Sequence, residues 1–403
     1  MSKKTSINNT IERAFTTKRL GSSSLKLNNC FIKSATYEGM YDNKGVPNQK
    51  LIAHHVELAK NGVGLTTVSY GAVSEEGRTF ENQMHINAES LKPLKKLAET
   101  VHAQGGKVSM QLTHCGYFSK NKKVKKLLAP SNLFNAYGFL SGLGFAKAMS
   151  PNDLEKVKED FVKSALSLRS IGFDALEIHL GHGYLLSQFL SPLTNKRTDK
   201  YGGSINNRSR FPLDVVQRVV DAVGPEFPVL IKLNLDDGLK GGFSIEDCMY
   251  VSKKLEAIGC AALVLSGGFT SKSPFYLMRG EVPLKGMIQN ASSWAEKITM
   301  LIFGPLIIKK YPFRPNFFLE KALMIRQAVK MDLVYLGGVD SREGIAQILN
   351  SGFNFIAIAR PLIHDPEFLK KIKDGSIEKS LCNRCNECIV EMDREGIKCT
   401  LGP

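Results

Sequence analysis

"DLEKVKEDFVKSALSLRSIGFDALEIHLGHGY", residues 153–184, sets the pattern for the rest of the chain. Its first part spaces apolar side chains at helical intervals and stops at Gly172, and glycine is a usual helix terminator. "FDALEIH" (173–179) then reads as a short buried strand. His179, His182 and Tyr184 follow at the strand end, set among glycines. Glycines beside polar side chains mark either close backbone packing or a place where a ligand approaches.

The same alternation runs from end to end. Eight β-branched runs fall at 30–36, 63–71, 106–114, 173–179, 227–234, 261–267, 331–339 and 353–360. Helix-period segments such as "LIAHHVELAKNG" and "REGIAQILNSG" separate them. This order predicts a parallel α/β protein, most simply a single (β/α)8 TIM barrel, with a doubly wound sheet as the alternative. In a barrel, reactive residues gather at the C-terminal strand ends. The long loops at 115–150 and 268–315 read as substrate walls or lids. The expected organisation is an N-terminal segment (1–24), a barrel (25–375) and a short cysteine-rich tail (376–403).

Composition narrows the class. The chain has 403 residues, 43% of them hydrophobic and 23% charged, as in a globular protein with a sizeable core. The net charge of +16 comes from scattered lysines, densest at Lys120, Lys122, Lys123, Lys125 and Lys126, with no aromatics alternating among them. That reads as a solvated basic surface that also attracts anionic cofactors, not as a nucleic-acid site. The N-terminus lacks the apolar stretch of a signal peptide. "ITMLIFGPLII" (298–308) is about half a membrane span and contains Pro305. Eight cysteines without a secretion signal suggest reduced thiols and a cytoplasmic protein. Neither a nucleic-acid nor a membrane partner is expected, and a homo-oligomer is compatible with the composition.

The strand ends collect a specific set of groups. They are Ser34, Ala35, Thr36 and Tyr37; Tyr70; Gln111, Thr113 and His114; His179, His182 and Tyr184; Lys232; Gly337 and Gly338; Ala359 and Arg360. Backbone N–H groups freed by glycine, with an arginine fork opposite, suit a phosphate. Two imidazoles on one short loop can donate to a single oxygen, and a nearby phenol can deliver a proton. Gln111 could equally be bonded to nearby backbone, and Lys232 could be a solvated strand end.

Residues 177–211, "EIHLGHGYLLSQFLSPLTNKRTDKYGGSINNRSRF", closely resemble the Old Yellow Enzyme family of FMN-dependent oxidoreductases. The likeness runs from "LKLNN" (25–29) to "IARPLIHDP" (358–366), with "QLTHCG" and "LGGVDSREG" in order between them. The resemblance implies an FMN-containing barrel reduced by NADH or NADPH. Ser34, Ala35, Thr36 and Tyr37 would lie along the flavin, with Tyr70 and Gln111 near its pyrimidine edge. Lys232 would face the flavin N1 and O2, where positive charge favours the anionic reduced ring. Gly338, Ala359 and Arg360 match the phosphate site. His179 and His182 match the pair that holds a substrate carbonyl, and Tyr184 the proton donor. The implied reaction is hydride transfer from NAD(P)H through flavin N5 to an electron-poor alkene. Ser34 and Ala35 replace a common proline and a larger apolar residue. Tyr37 stands where a polar residue is usual, which bears on substrate range.

"CNRCNECIVEMDREGIKC" places Cys382, Cys385, Cys388 and Cys399 at C-x2-C-x2-C-x10-C spacing. Four such thiolates suit an iron–sulfur cluster or zinc. The pattern is similar to trimethylamine dehydrogenase and 2,4-dienoyl-CoA reductase, which implies a [4Fe-4S] cluster beside the barrel. Amine oxidation of the former kind is the competing enzyme reading, though the histidine pair favours a carbonyl or phenolate oxygen. A non-redox phosphate-binding barrel such as an aldolase, and a non-catalytic basic binding protein, complete the alternatives.

Overall fold

Every one of the eight β-branched runs becomes a strand of one closed barrel. The computed structural model describes residues 3–291 and 293–402, apart from the side chains of residues 3 and 4. The strands are β1 (Phe31–Lys33), β2 (Leu65–Ala72), β3 (Lys107–Thr113) and β4 (Ala175–Leu180), then β5 (Val229–Asn234), β6 (Ala262–Ser266), β7 (Asp332–Tyr335) and β8 (Phe355–Ile358). Each pairs in parallel with the next, and β8 closes on β1 through Ile356–Phe31, Ala357–Ile32 and Ile358–Lys33. That closing ladder excludes the doubly wound sheet, whose edges stay open.

The strands are buried almost throughout, on both faces. A parallel sheet between a filled interior and a helical shell has no wet face, so its strands read as continuous apolar runs. Helices α1 (Gln49–Lys60), α2 (Ala88–Ala103), α3 (Pro151–Ser170) and α4 (Ile205–Val223) belong to that shell, as do α5 (Ile245–Ile258) and α6 (Arg342–Asn350). Local sequence starts and stops them. Ser150 and Asp153 form a capping box on α3, as Ser244 and Asp247 do on α5. Gly259 ends α5 in the left-handed region at φ 90°.

The segments outside the barrel are not appendages. The N-terminal helix Lys3–Ala14 packs on α6, where Arg342 donates to Asn8 at 2.9 Å and Arg13 to Asn350 at 3.2 Å. Loop 115–150 holds a small sheet of Leu127–Ala129, Phe145–Ala148 and Leu133–Phe134. Loop 268–315 holds helices Leu284–Asn290 and Trp294–Ile307. The cysteine-rich tail folds back over the strand ends: the Ile397 N–H donates to the Glu38 carbonyl at 2.7 Å, and Asn290 donates to the Val390 carbonyl at 2.6 Å. Among the described residues, no helix is long and apolar enough to cross a membrane.

Candidate active site

Alternation along β4 turns Glu177 and His179 to the same side, the barrel interior. Glu177 therefore joins a polar layer at the barrel mouth. Gln111 donates to its Oε1 at 2.6 Å, and the Lys232 ammonium lies 3.0 Å from the same oxygen. Ser69 donates to Gln111 at 3.3 Å, and Lys232 reaches the Ala35 carbonyl at 3.4 Å. Gln111 and Lys232 are thus neither backbone-satisfied nor solvated; both are buried and held by one carboxylate. Below them Lys33 and Glu38 form a second buried ion pair. An unpaired charge at such depth would cost about 3–5 kcal/mol. Burial pushes the Glu38 carboxyl up to about 7, against the pull of Lys33.

The β4–helix turn builds the histidine–tyrosine group. The His179 and His182 ring centroids are 4.8 Å apart and nearly perpendicular, and Tyr184 stacks obliquely on His179 at 4.8 Å. The Gly181 N–H donates to His179 Nδ1 at 3.2 Å, so a neutral ring carries its proton on Nε2. His182 Nε2 lies 2.7 Å from the Ser266 hydroxyl at the end of β6. Burial drives the His182 pKa down to about 3, helped by Lys232, and holds His179 well below the usual imidazole range. Both rings are neutral at ordinary pH. The Tyr184 hydroxyl donates to the Tyr70 hydroxyl at 2.8 Å, and burial raises the pKa of both phenols. His114, expected on this rim, does not line the cavity. It is three residues after Gln111, so it has the opposite parity on the strand, and its Nδ1 instead accepts from the Gly116 N–H at 3.0 Å.

These groups line one cavity of about 650 Å³ above the barrel. Ser34, Ala35, Thr36, Tyr37, Tyr70, Gln111, Lys232, Gly338, Ala359 and Arg360 all face it, as do His179, His182 and Tyr184. Sequence reasoning missed Phe80, which the segment after β2 brings in, and Phe118 and Tyr137, which loop 115–150 brings in. With Tyr37, Tyr70 and Tyr184 they make a closed circuit of rings at centroid steps of 4.5–6.4 Å. Just after β7, Gly337 and Gly338 have φ of 135° and 80°. Arg360 donates through Nη1 to the Arg279 carbonyl at 2.7 Å and to Asn386 at 2.8 Å. Arg384, which the sequence did not single out, pairs with Asp340 beside it. The buried Thr36 hydroxyl has no partner among the described residues. A mostly apolar slot with an orphaned hydroxyl, neutral donors on one wall and two arginines at one end fits FMN.

The four tail cysteines are free, partly buried thiols. Cys388 is held up to about 12, chiefly by burial, with Cys382, Cys385 and Cys399 adding to the rise. Cys399 Sγ lies 3.3 Å from His364 Nδ1. Among the described residues, no three His, Cys, Asp or Glu side chains are grouped so as to hold a metal ion. The tail's other role was not foreseen: Cys382, Cys388, Met392 and Asp393 form part of the cavity wall.

Residues 15–265 match the NADH:flavin oxidoreductase / NADH oxidase family. A 4,4'-dithiodibutanoate disulfide reductase of Rhodococcus erythropolis is 37% identical over 367 residues, 91% of this chain and 90% of the relative. Morphinone reductase, solved in complex with tetrahydroNAD, superposes with a TM-score of 0.69 at 25% identity, over 91% of this chain and 92% of that one. A 2-naphthoyl-CoA reductase gives a TM-score of 0.81 at 22% identity, a likeness of fold that covers 98% of this chain and 57% of the reductase. The matched family, the cavity that fits FMN and the barrel that positions it agree, and the chain belongs to the NADH:flavin oxidoreductase family, the FMN-dependent, NAD(P)H-using oxidoreductases that include the Old Yellow Enzymes.

Proposed function

We propose that the chain reduces the alkene of a conjugated carbonyl compound, with His179 and His182 holding the carbonyl oxygen. The observation that carries this reading is the Gly181 N–H bond to His179 Nδ1, which leaves a neutral Nε2–H donor beside a second neutral imidazole. Bound FMN supplies the two-electron hydride chemistry that links the nicotinamide to the acceptor. Ser34, Ala35, Thr36 and Tyr37 would hold one side of it, Gln111 and Lys232 its polar edge, and Gly338, Ala359 and Arg360 its phosphate. Two N–H donors on one oxygen stabilise the negative charge that grows there as the β-carbon is reduced. For His182 to be the second donor, Ser266 must donate to Nε2 so that Nδ1 carries the proton. Tyr184 gives its proton to the α-carbon, and Tyr70, bonded to it, is the phenol placed to share that role.

The 37% identical relative favours a second acceptor, a disulfide, whose reduction also takes two electrons. Amine oxidation is less well supported, because the aromatic circuit already holds a cation: Lys120 Nζ lies 5.6 and 5.1 Å from the Phe80 and Tyr137 centroids. For the tail, the reading is a [4Fe-4S] cluster on Cys382, Cys385, Cys388 and Cys399, with zinc as the alternative; the C-x2-C-x2-C-x10-C spacing supports it.

Tyr184→Phe tests the proton donor by rapid-mixing of each half-reaction separately. Reduction by the nicotinamide should stay within about twofold of the parent, while reduction of an enone slows about a hundredfold. Equal losses in both halves would refute the role. A disulfide reduced faster than any enone would move the assignment to the second acceptor.

A further inference from the structure

The apolar run 298–308 does not enter the core. It lies on the helix Trp294–Ile307, where Trp294, Leu301, Leu306 and Ile307 are 76, 64, 81 and 70% exposed. Trp294, Ile298 and Leu301 recur at i, i+4 and i+7 as an outward stripe, and Ile302, Leu306 and Ile307 carry the exposed apolar surface on round the helix. A second apolar rim stands nearby: Phe134, Phe139, Leu140 and Phe145 are 52, 53, 49 and 75% exposed. Leu140 on one side and Phe303 on the other both line the cavity while being about half exposed, so its opening lies between the rims. Lys120 of the first loop and Glu296 of the helix, 3.9 Å apart, tie the two sides together. Soluble proteins seldom leave so much contiguous apolar surface without a partner.

Charge selects that partner. Lys309 and Lys310 follow the helix directly, Lys297 lies within it, and Lys122, Lys123 and Lys125 lead into the other rim. Lys310 pairs with Glu281, but the other five make no ion pair among the described residues. A second copy of a chain carrying +16 would set the same lysines against one another, whereas anionic headgroups would neutralise them. We propose that this face seats on a membrane surface rich in anionic lipid, with the helix in the plane of the interface and its stripe at the acyl boundary. The cavity then opens against the bilayer, and an apolar acceptor enters from lipid. The expectation of no membrane partner rested on a run too short to span; lying on the surface needs no span.

Flotation of the full chain with vesicles tests this. Phosphatidylcholine–phosphatidylglycerol vesicles should bind at least about ten times more protein than phosphatidylcholine alone, and added salt should release it. The double variant Leu301→Glu/Leu306→Glu should bind at least about tenfold less, and Lys309→Ala about fivefold less. Leu301 and Leu306 lie outside the cavity wall, so the double variant should keep its melting temperature and its turnover of a water-soluble enone. Failure of the docking is thereby separated from failure of the reductase reading. Absent flotation, equal flotation on both vesicle types, or binding unaffected by the leucine pair would overturn the proposal. So would a concentration-dependent dimer that the leucine pair dissolves, which would assign the face to a second copy.

Discussion

His182 depends on a residue that the sequence alone does not single out. Its Nε2 meets the Ser266 hydroxyl at 2.7 Å, and the direction of that bond decides whether Nδ1 can donate into the cavity. A serine closing a strand is too common to mark a site, so only the meeting of β4 and β6 ends identifies it. Removing the hydroxyl removes one bond that fixes the tautomer, an effect of about 1 kcal/mol. Ser266→Ala should therefore weaken phenol binding about fivefold in a spectral titration of the oxidised protein, while reduction by the nicotinamide is unchanged. Tighter or equal binding would show that Ser266 accepts from Nε2 and that His182 is not a donor. Glu177 is a different case, because its place two residues before His179 gave it the same facing in the sequence itself. The place of His179, His182 and Tyr184 at a strand end was legible, because the apolar run before them has a clear strand pattern.

At the scale of the element, the turn 181–184 explains why glycines bracket His182. His182 itself has φ 58° and Gly183 φ 76°, so the chain turns sharply through left-handed conformations. A Cβ on Gly181 would lie 2.7 Å from Asn234 Oδ1, and one on Gly183 only 2.3 Å from the Phe269 ring. Space and dihedral therefore both require glycine at 183. Gly183→Ala should cost about 2–4 kcal/mol in a denaturant melt, combining left-handed strain with overpacking. A loss under about 0.5 kcal/mol would mean that Phe269 moves aside freely. Strand and helix positions were legible because their periodicities are strong. The content of loops 115–150 and 268–315 was not: "ITMLIFGPLII" looks the same whether its helix is buried or exposed.

For the molecule as a whole, the tail is what changes the picture. It joins the cavity wall through Cys382, Cys388 and Met392, and it reaches back to the Glu38 carbonyl next to β1. A cluster on the four thiols would sit directly beside the cofactor cavity. Anaerobically prepared protein should then contain about four iron and four acid-labile sulfide per chain, and Cys388→Ser should remove most of both. Stoichiometric zinc would make the tail a structural site, and neither metal would leave plain thiols. The sequence by itself determined the barrel, its strand ends and the histidine–tyrosine group, because these follow from local periodicity and from motifs within single loops. Only the tertiary structure decided the Gln111–Glu177–Lys232 layer, the aromatic circuit, the Ser266 contact and the tail's place in the wall. Each of these joins residues far apart in the chain, and such meetings are fixed by barrel closure and packing, which leave no periodic mark on the sequence.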